Sequence, residues 1–244
     1  MSSKFRSNVA INKQLVAAQA VEDLFSVLRS SWNDLNLVNC VTGLQRLAKL
    51  AFDKDGQKGS HRGSTRTVLD QDLTLSLLEL TARKIHSESE NCEPRHLSGA
   101  LWAAAKLSAG SEELLRAVYQ GILEKCPDFK PQELSNALWA TAKLSPATPG
   151  LESLVINART ALVRTVQASI QKNLSSVKQD WSPQAVSNVT WALGSLGLAD
   201  RELIGSLLGL LPSRVEEFNT QEVANMLWSF AKLKEQSSGE ESDG

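Results

Sequence analysis

One fourteen-residue segment is written five times along this chain, and that repetition limits the fold more than any other feature. The copies are LVNCVTGLQRLAKL ending at Leu50, PRHLSGALWAAAKL ending at Leu107, PQELSNALWATAKL ending at Leu144, PQAVSNVTWALGSL ending at Leu196 and TQEVANMLWSFAKL ending at Leu233. Trp102 and Trp139 are 37 residues apart, as are Trp191 and Trp228, whereas the steps from Gln45 to Trp102 and from Trp139 to Trp191 are 57 and 52. The period is therefore 37, with an insertion in each of two steps.

Between the copies, apolar residues at helical spacing mark a second helix, over 68–85, 112–123, 151–174 and 202–211. Each unit reads as helix A, turn, helix B. Pro94, Pro131 and Pro183 suit a first helical turn, Thr220 stands where it can cap the last copy, and Ser111 and Asp200 precede B helices. A lone hairpin cannot bury its apolar stripe, so the units must stack. The expected fold is all-α, an α-solenoid of about five helix-turn-helix repeats over residues 34–235.

Ahead of them, residues 1–33 hold a helix over 9–30 with Val9, Leu15, Val16, Leu24, Val27 and Leu28 at helical spacing, which resembles the B helix of a preceding repeat. Residues 236–244 read as a disordered acidic tail. The insertion at 53–67 reads as a Gly/Ser-rich solvated loop whose Lys54, Lys58, His61, Arg62 and Arg66 suit an anion; the one near 146–180 lengthens the third B helix. The last A helix has no B partner, which points to a longer array or to capping by a partner.

Rotation by about 100° per residue separates two faces of helix A. In the third copy, Leu134, Ala137, Leu138, Thr141, Ala142 and Leu144 form the core side, while Gln132, Asn136, Trp139 and Lys143 share the opposite side. The equivalent stripes are Arg95, Gly99, Trp102, Lys106; Gln184, Asn188, Trp191, Ser195; Gln221, Asn225, Trp228, Lys232; and, degraded, Val38, Thr42, Gln45, Lys49. Amides, indoles and ammonium groups in parallel rows suit single-stranded RNA, since indoles stack on bases, amides reach base edges and lysines meet phosphates.

A second reading stands beside each. The tryptophans also serve as packing, the asparagines as bonds between repeats, and the lysines as favourable charges in a last helical turn. Positions alike in every copy cannot tell bases apart, so base choice falls to a position that varies beside the stripe: Asn39, His96, Glu133, Ala185 and Glu222. Another, Arg46, Ala103, Ala140, Ala192 and Ser229, is mostly small and suits close approach of a neighbouring helix. The RNA-binding candidates are thus Arg95, Lys106, Gln132, Asn136, Lys143, Gln184, Asn188, Gln221, Asn225, Lys232, His96, Glu133 and Glu222, with Trp102, Trp139, Trp191 and Trp228 for stacking.

Composition narrows the function classes. A net charge of −1 is no basic field, so phosphate would be held by local stripes. His61, His86 and His96 have no ligand spacing with each other or with Cys40, Cys92 and Cys126, and there is no phosphate loop or nucleophile motif. The expectation is a protein that is not an enzyme and takes no metal or cofactor. There is no apolar run of membrane-spanning length. Lys4, Arg6 and Lys13 with several Ser ahead of the first acid, Glu22, are compatible with the end of an organellar transit peptide.

Through PQELSNALWATAKL and TQEVANMLWSFAKL above all, the chain resembles the octotricopeptide repeat family, with similar Leu-Trp-Ala helices in relatives that carry RAP domains. The resemblance implies an α-solenoid that binds RNA in chloroplasts or mitochondria and acts in transcript processing, stability or translation. It equally admits a protein-interaction scaffold, such as a structural subunit of an organellar ribosome or another RNA-processing complex.

Overall fold

The structure is a computed structural model that describes residues 3–52, 70–144, 150–175, 180–212 and 214–240. Within these residues the chain is all-α, with eleven α-helices: α1 Ser3–Ala17, α2 Val21–Ser31, α3 Leu37–Phe52, α4 Gln71–Ser87, α5 Pro94–Leu107, α6 Glu112–Lys125, α7 Pro131–Leu144, α8 Glu152–Leu174, α9 Pro183–Leu196, α10 Arg201–Gly209 and α11 Thr220–Glu240. The five A copies are α3, α5, α7, α9 and α11, and the four B segments are α4, α6, α8 and α10. The basic loop expected at 53–67 lies outside the described residues.

Three expectations change. The N-terminal stretch is two helices, because the backbone of Ala20 is extended and its N–H donates to the Asp23 carboxylate at 3.2 Å, which starts α2 afresh. α1 packs on α3 as the later A helices pack on one another, so α1 and α2 form a hairpin of their own rather than one B helix. The stretch expected as a disordered tail is helical as far as Glu240, and 241–244 lie outside the described residues. Thr220 is the first residue of α11 and not its cap, since Asn219 Oδ1 accepts the Glu222 N–H at 3.0 Å.

Two compact units divide the chain, Met1–Val118 and Tyr119–Gly244. In the first, α3 is central and packs on α1, α2, α4 and α5. Leu15, Leu24, Leu28, Leu44, Leu47, Leu77 and Leu97 are wholly buried there, each contributing roughly 1.5–3 kcal/mol. Gly43 lets α3 lie against Leu28 and Leu77, whose nearest methyls stand 3.2 and 3.5 Å from where a Cβ would be.

In the second unit, α7 packs on α9 and α9 on α11, with α8 against α7 and α10 against α8 and α9. α8 has 23 residues where α6 has 14, so the insertion lengthens this B helix as its apolar spacing predicts. Ala140, Ala192 and Ser229, the small variable positions, are wholly buried. α9 and α11 come so close that a Cβ on Gly194 would stand 2.9 Å from Ser229 Cα.

A buried or half-buried apolar residue precedes every A helix from α3 onward by two positions: Leu35, Cys92, Phe129, Trp181 and Phe218. It occupies the outer position of a hydrophobic staple, whose inner positions Cys40, Leu97, Leu134 and Val186 are also buried. Trp181, outside the repeated segment, is the largest such anchor; its indole N–H donates to Ser169 Oγ at 3.2 Å, and its carbonyl accepts from Arg214 at 2.6 Å.

Gly194→Val should destabilise the second unit by about 1–3 kcal/mol through overpacking. Gly205→Ala, at an exposed helical site with nothing within 4 Å of a new Cβ, should stabilise it by about 0.5–1 kcal/mol. Urea unfolding of both variants against the parent measures the contrast.

Candidate functional site

The first turn of each A helix decides what its polar residues can do. The varying position set aside for reading bases is the third helical residue, N3, and its side chain folds back onto the helix start. Glu133 accepts the Lys130 N–H at 2.8 Å, Glu222 accepts the Asn219 N–H at 2.9 Å, and Asn39 accepts the Asn36 N–H at 3.4 Å. Where the residue is Ala185, the cap comes from Ser182, whose hydroxyl accepts the Ala185 N–H at 3.2 Å.

His96 plays the same part. It is buried, and its Nδ1 accepts the Glu93 N–H at 3.0 Å. Burial, with the Arg95 charge added, holds its pKa below the ordinary 6.5, so the ring is kept neutral. His96, Glu133 and Glu222 are therefore capping residues, each committing one side-chain acceptor to a backbone N–H that the helix start leaves unpaired, a role that competes with the expected reading of bases.

The stripe itself faces outward. Gln132, Gln184 and Gln221 are exposed, and Asn136, Asn188 and Asn225 are half-buried. Gln132 donates to Asn136 Oδ1 at 3.1 Å and Gln221 to Asn225 Oδ1 at 2.9 Å, so each amide pair is fixed along its own helix with the Asn Nδ2 directed away from that bond. Lys106 and Lys143 are exposed and Lys232 is half-buried. Lys106 lies 5.9 Å from the ring centre of Trp102, and Lys232 5.0 Å from that of Trp228, both within cation–π range. Arg95 is exposed but paired with Glu93 at 2.9 Å.

In the second unit the indoles form a row. Trp139 and Trp191 have ring centres 6.0 Å apart and are tilted by 38°; Trp191 and Trp228 are 6.4 Å apart, inclined by 22° and stacked. These are aromatic pairs in their own right, worth roughly 0.5–1.5 kcal/mol each beyond the area they bury. Their facing sides are engaged with one another, and what they offer outward is their edges together with the exposed Trp228, 47% accessible. Trp102, half-buried, belongs to the first unit. There Gln45 takes the place of an indole, and Gly99, in the asparagine position, leaves room for the Gln45 amide.

Cys40, Cys92 and Cys126 are buried and outside any disulfide; burial pushes the Cys40 thiol up to about 12 and raises Cys126 for the same reason, so neither of these two is activated. Among the described residues no cluster of His, Cys, Asp and Glu has the makings of a metal site, and no helix is long and apolar enough to cross a membrane. No protein-family model matches the chain, and no curated protein matches it.

The His96 cap carries a pH dependence. Its folded pKa is depressed, so its contribution to stability is full above the unfolded value near 6.5 and is lost as pH falls through that value toward the folded one. Denaturant unfolding from pH 7.5 to about 5 should show this acid loss, and His96→Gln, which keeps an acceptor on a similar stem, should flatten it by one titrating group.

Proposed function

We propose that the chain is a superhelical α-solenoid of the octotricopeptide type and binds single-stranded RNA along the Gln-Asn-Trp-Lys face of its A helices. The observation that carries this reading is the outward row of Trp139, Trp191 and Trp228, flanked by the oriented amides of Gln132–Asn136 and Gln221–Asn225 and by lysines at the helix ends. Aromatic edges and an open indole give stacking and van der Waals surface to any base, amides give hydrogen bonds, and ammonium groups meet phosphates.

Because the varying N3 residues are caps, the contacts left for RNA are the ones that repeat from copy to copy. Binding on this face is therefore sequence-tolerant, with preferences set by stacking rather than by base-edge readout. The octotricopeptide resemblance is what supports action in a chloroplast or mitochondrion, in transcript processing, stability or translation. Protein scaffolding is the second reading, and the apolar side of α11 is what favours it.

The test is titration of a fluorescent unstructured RNA at increasing salt. With Lys106, Lys143 and Lys232 all changed to Ala, the slope of log affinity against log salt should fall by about 2, at about 0.7 per phosphate contact on a single strand. Trp228→Ala should cost about 1–3 kcal/mol, roughly a five- to 150-fold loss, while Trp228→Phe keeps most of the affinity. No binding at low salt, or an unaltered salt slope in the triple variant, overturns the reading.

A further inference from the structure

Inside the second unit, the long helix α8 meets the turn between α9 and α10 without closing on it. The space left is a cavity of about 350 Å³, at the lower end of the range of small-molecule sites. None of the described residues that border it belongs to the Gln-Asn-Trp-Lys face.

One wall is α8, where Val163 and Thr160 line the cavity and Arg159 and Arg164 flank them, roughly 140° apart around the helix. Arg159 is half-buried and Arg164 exposed, and neither guanidinium has a hydrogen bond or an ion pair among the described residues. α8 as a whole carries Arg159, Arg164 and Lys172 against the single acid Glu152. Glu202, in the first turn of α10, does not neutralise the arginines: it accepts from Gln167 and Gln171 at 3.0 and 2.9 Å.

The opposite wall is a turn held from both ends. Gly197, at φ +67°, closes α9 with its N–H on the Leu193 carbonyl, which also accepts the Leu198 N–H at 3.0 Å. Asp200 opens α10, its Oδ1 accepting the Leu203 N–H at 2.9 Å. Only Leu198 and Ala199 lie between the two caps, so this wall keeps its shape without a ligand. Asp200 is the one carboxylate at the cavity, and its second oxygen remains an acceptor. The site therefore combines two uncompensated cations, an apolar patch of Val163 and Leu198, and a carboxylate facing them.

We propose that this cavity binds a nucleoside 5′-monophosphate. Guanidinium forks match phosphate oxygens, and a phosphate monoester, close to doubly charged at neutral pH, calls for two of them. The base lies on Val163 and Leu198, and its amino group donates to Asp200. The site shares no residue with the A-helix stripe and stands whether or not that face binds RNA.

Calorimetric titration of the full chain with adenosine 5′-monophosphate tests it. The expected result is one saturable site, with adenosine and inorganic phosphate each at least about tenfold weaker. Arg159→Gln and Arg164→Gln, both on the surface of α8, should each weaken binding by about tenfold or more while leaving the thermal melt unchanged. Ala199→Phe, at an exposed position, keeps both arginines but fills the cavity, and should abolish binding. The variant with Lys106, Lys143 and Lys232 changed to Ala should bind the nucleotide as the parent does, which separates this site from the RNA face. Absence of saturable binding overturns the proposal, as does adenosine or phosphate binding as tightly as the nucleotide. Binding that survives either arginine change, or that persists in Ala199→Phe, or that is lost in the lysine variant, overturns it too.

Discussion

Close contact between successive A helices is the interaction on which the rest depends. It is achieved by keeping side chains small where the helices meet: Ala192 and Ser229 are wholly buried, and Gly194 admits the backbone of α11 to within contact of α9. Interiors are packed as densely as organic crystals, so such a seam has little tolerance for added volume. The seam also aligns everything on the opposite side of each helix, and the indoles of α7, α9 and α11 can form one row only because their helices are held side by side in register.

This explains how unequal steps coexist with a regular surface. Trp139 and Trp191 are 52 residues apart and Trp191 and Trp228 only 37, yet the ring separations are 6.0 and 6.4 Å. Part of the surplus goes into the longer α8, 23 residues against 14 in α6, off the A-on-A seam. Where the chain grows is thus decided by which helix faces carry the packing: a B helix can lengthen past its neighbours, but a residue inserted within an A helix would rotate its small face off the seam by about 100°.

Hydrophobic periodicity made the alternation of A and B helices legible, because burial and period are the same physical quantity seen twice. It also separated the buried side of helix A from its polar side, as the inward Leu134 and Leu138 and outward Gln132 and Lys143 show. It was silent on backbone hydrogen bonding, which is where the readings of the N-terminal stretch and of the first turns part from the structure. The capping Glu133, Glu222 and His96 looked like outward polar residues, because their reach back to the helix start has no signature in periodicity. The signals that would have found them are short-range: Asn-x-x-Glu from Asn219 to Glu222, and the apolar residue two places before each helix. Asp23, three residues after Ala20, carried the same information about the break between α1 and α2.

Reassigning the N3 residues changes what kind of recognition is available to the proposed RNA surface. A surface that distinguishes sequences needs side chains that differ between repeats and are free to reach a base; here the ones that differ are capping, and the ones that reach outward repeat. The indoles, in contact with one another, leave no gap between Trp139, Trp191 and Trp228 for a base to enter without breaking a pair worth roughly 0.5–1.5 kcal/mol. A strand on the proposed surface would therefore lie along the row rather than thread through it, and its affinity would grow with the number of rungs it covers, without any new chemistry at a single repeat.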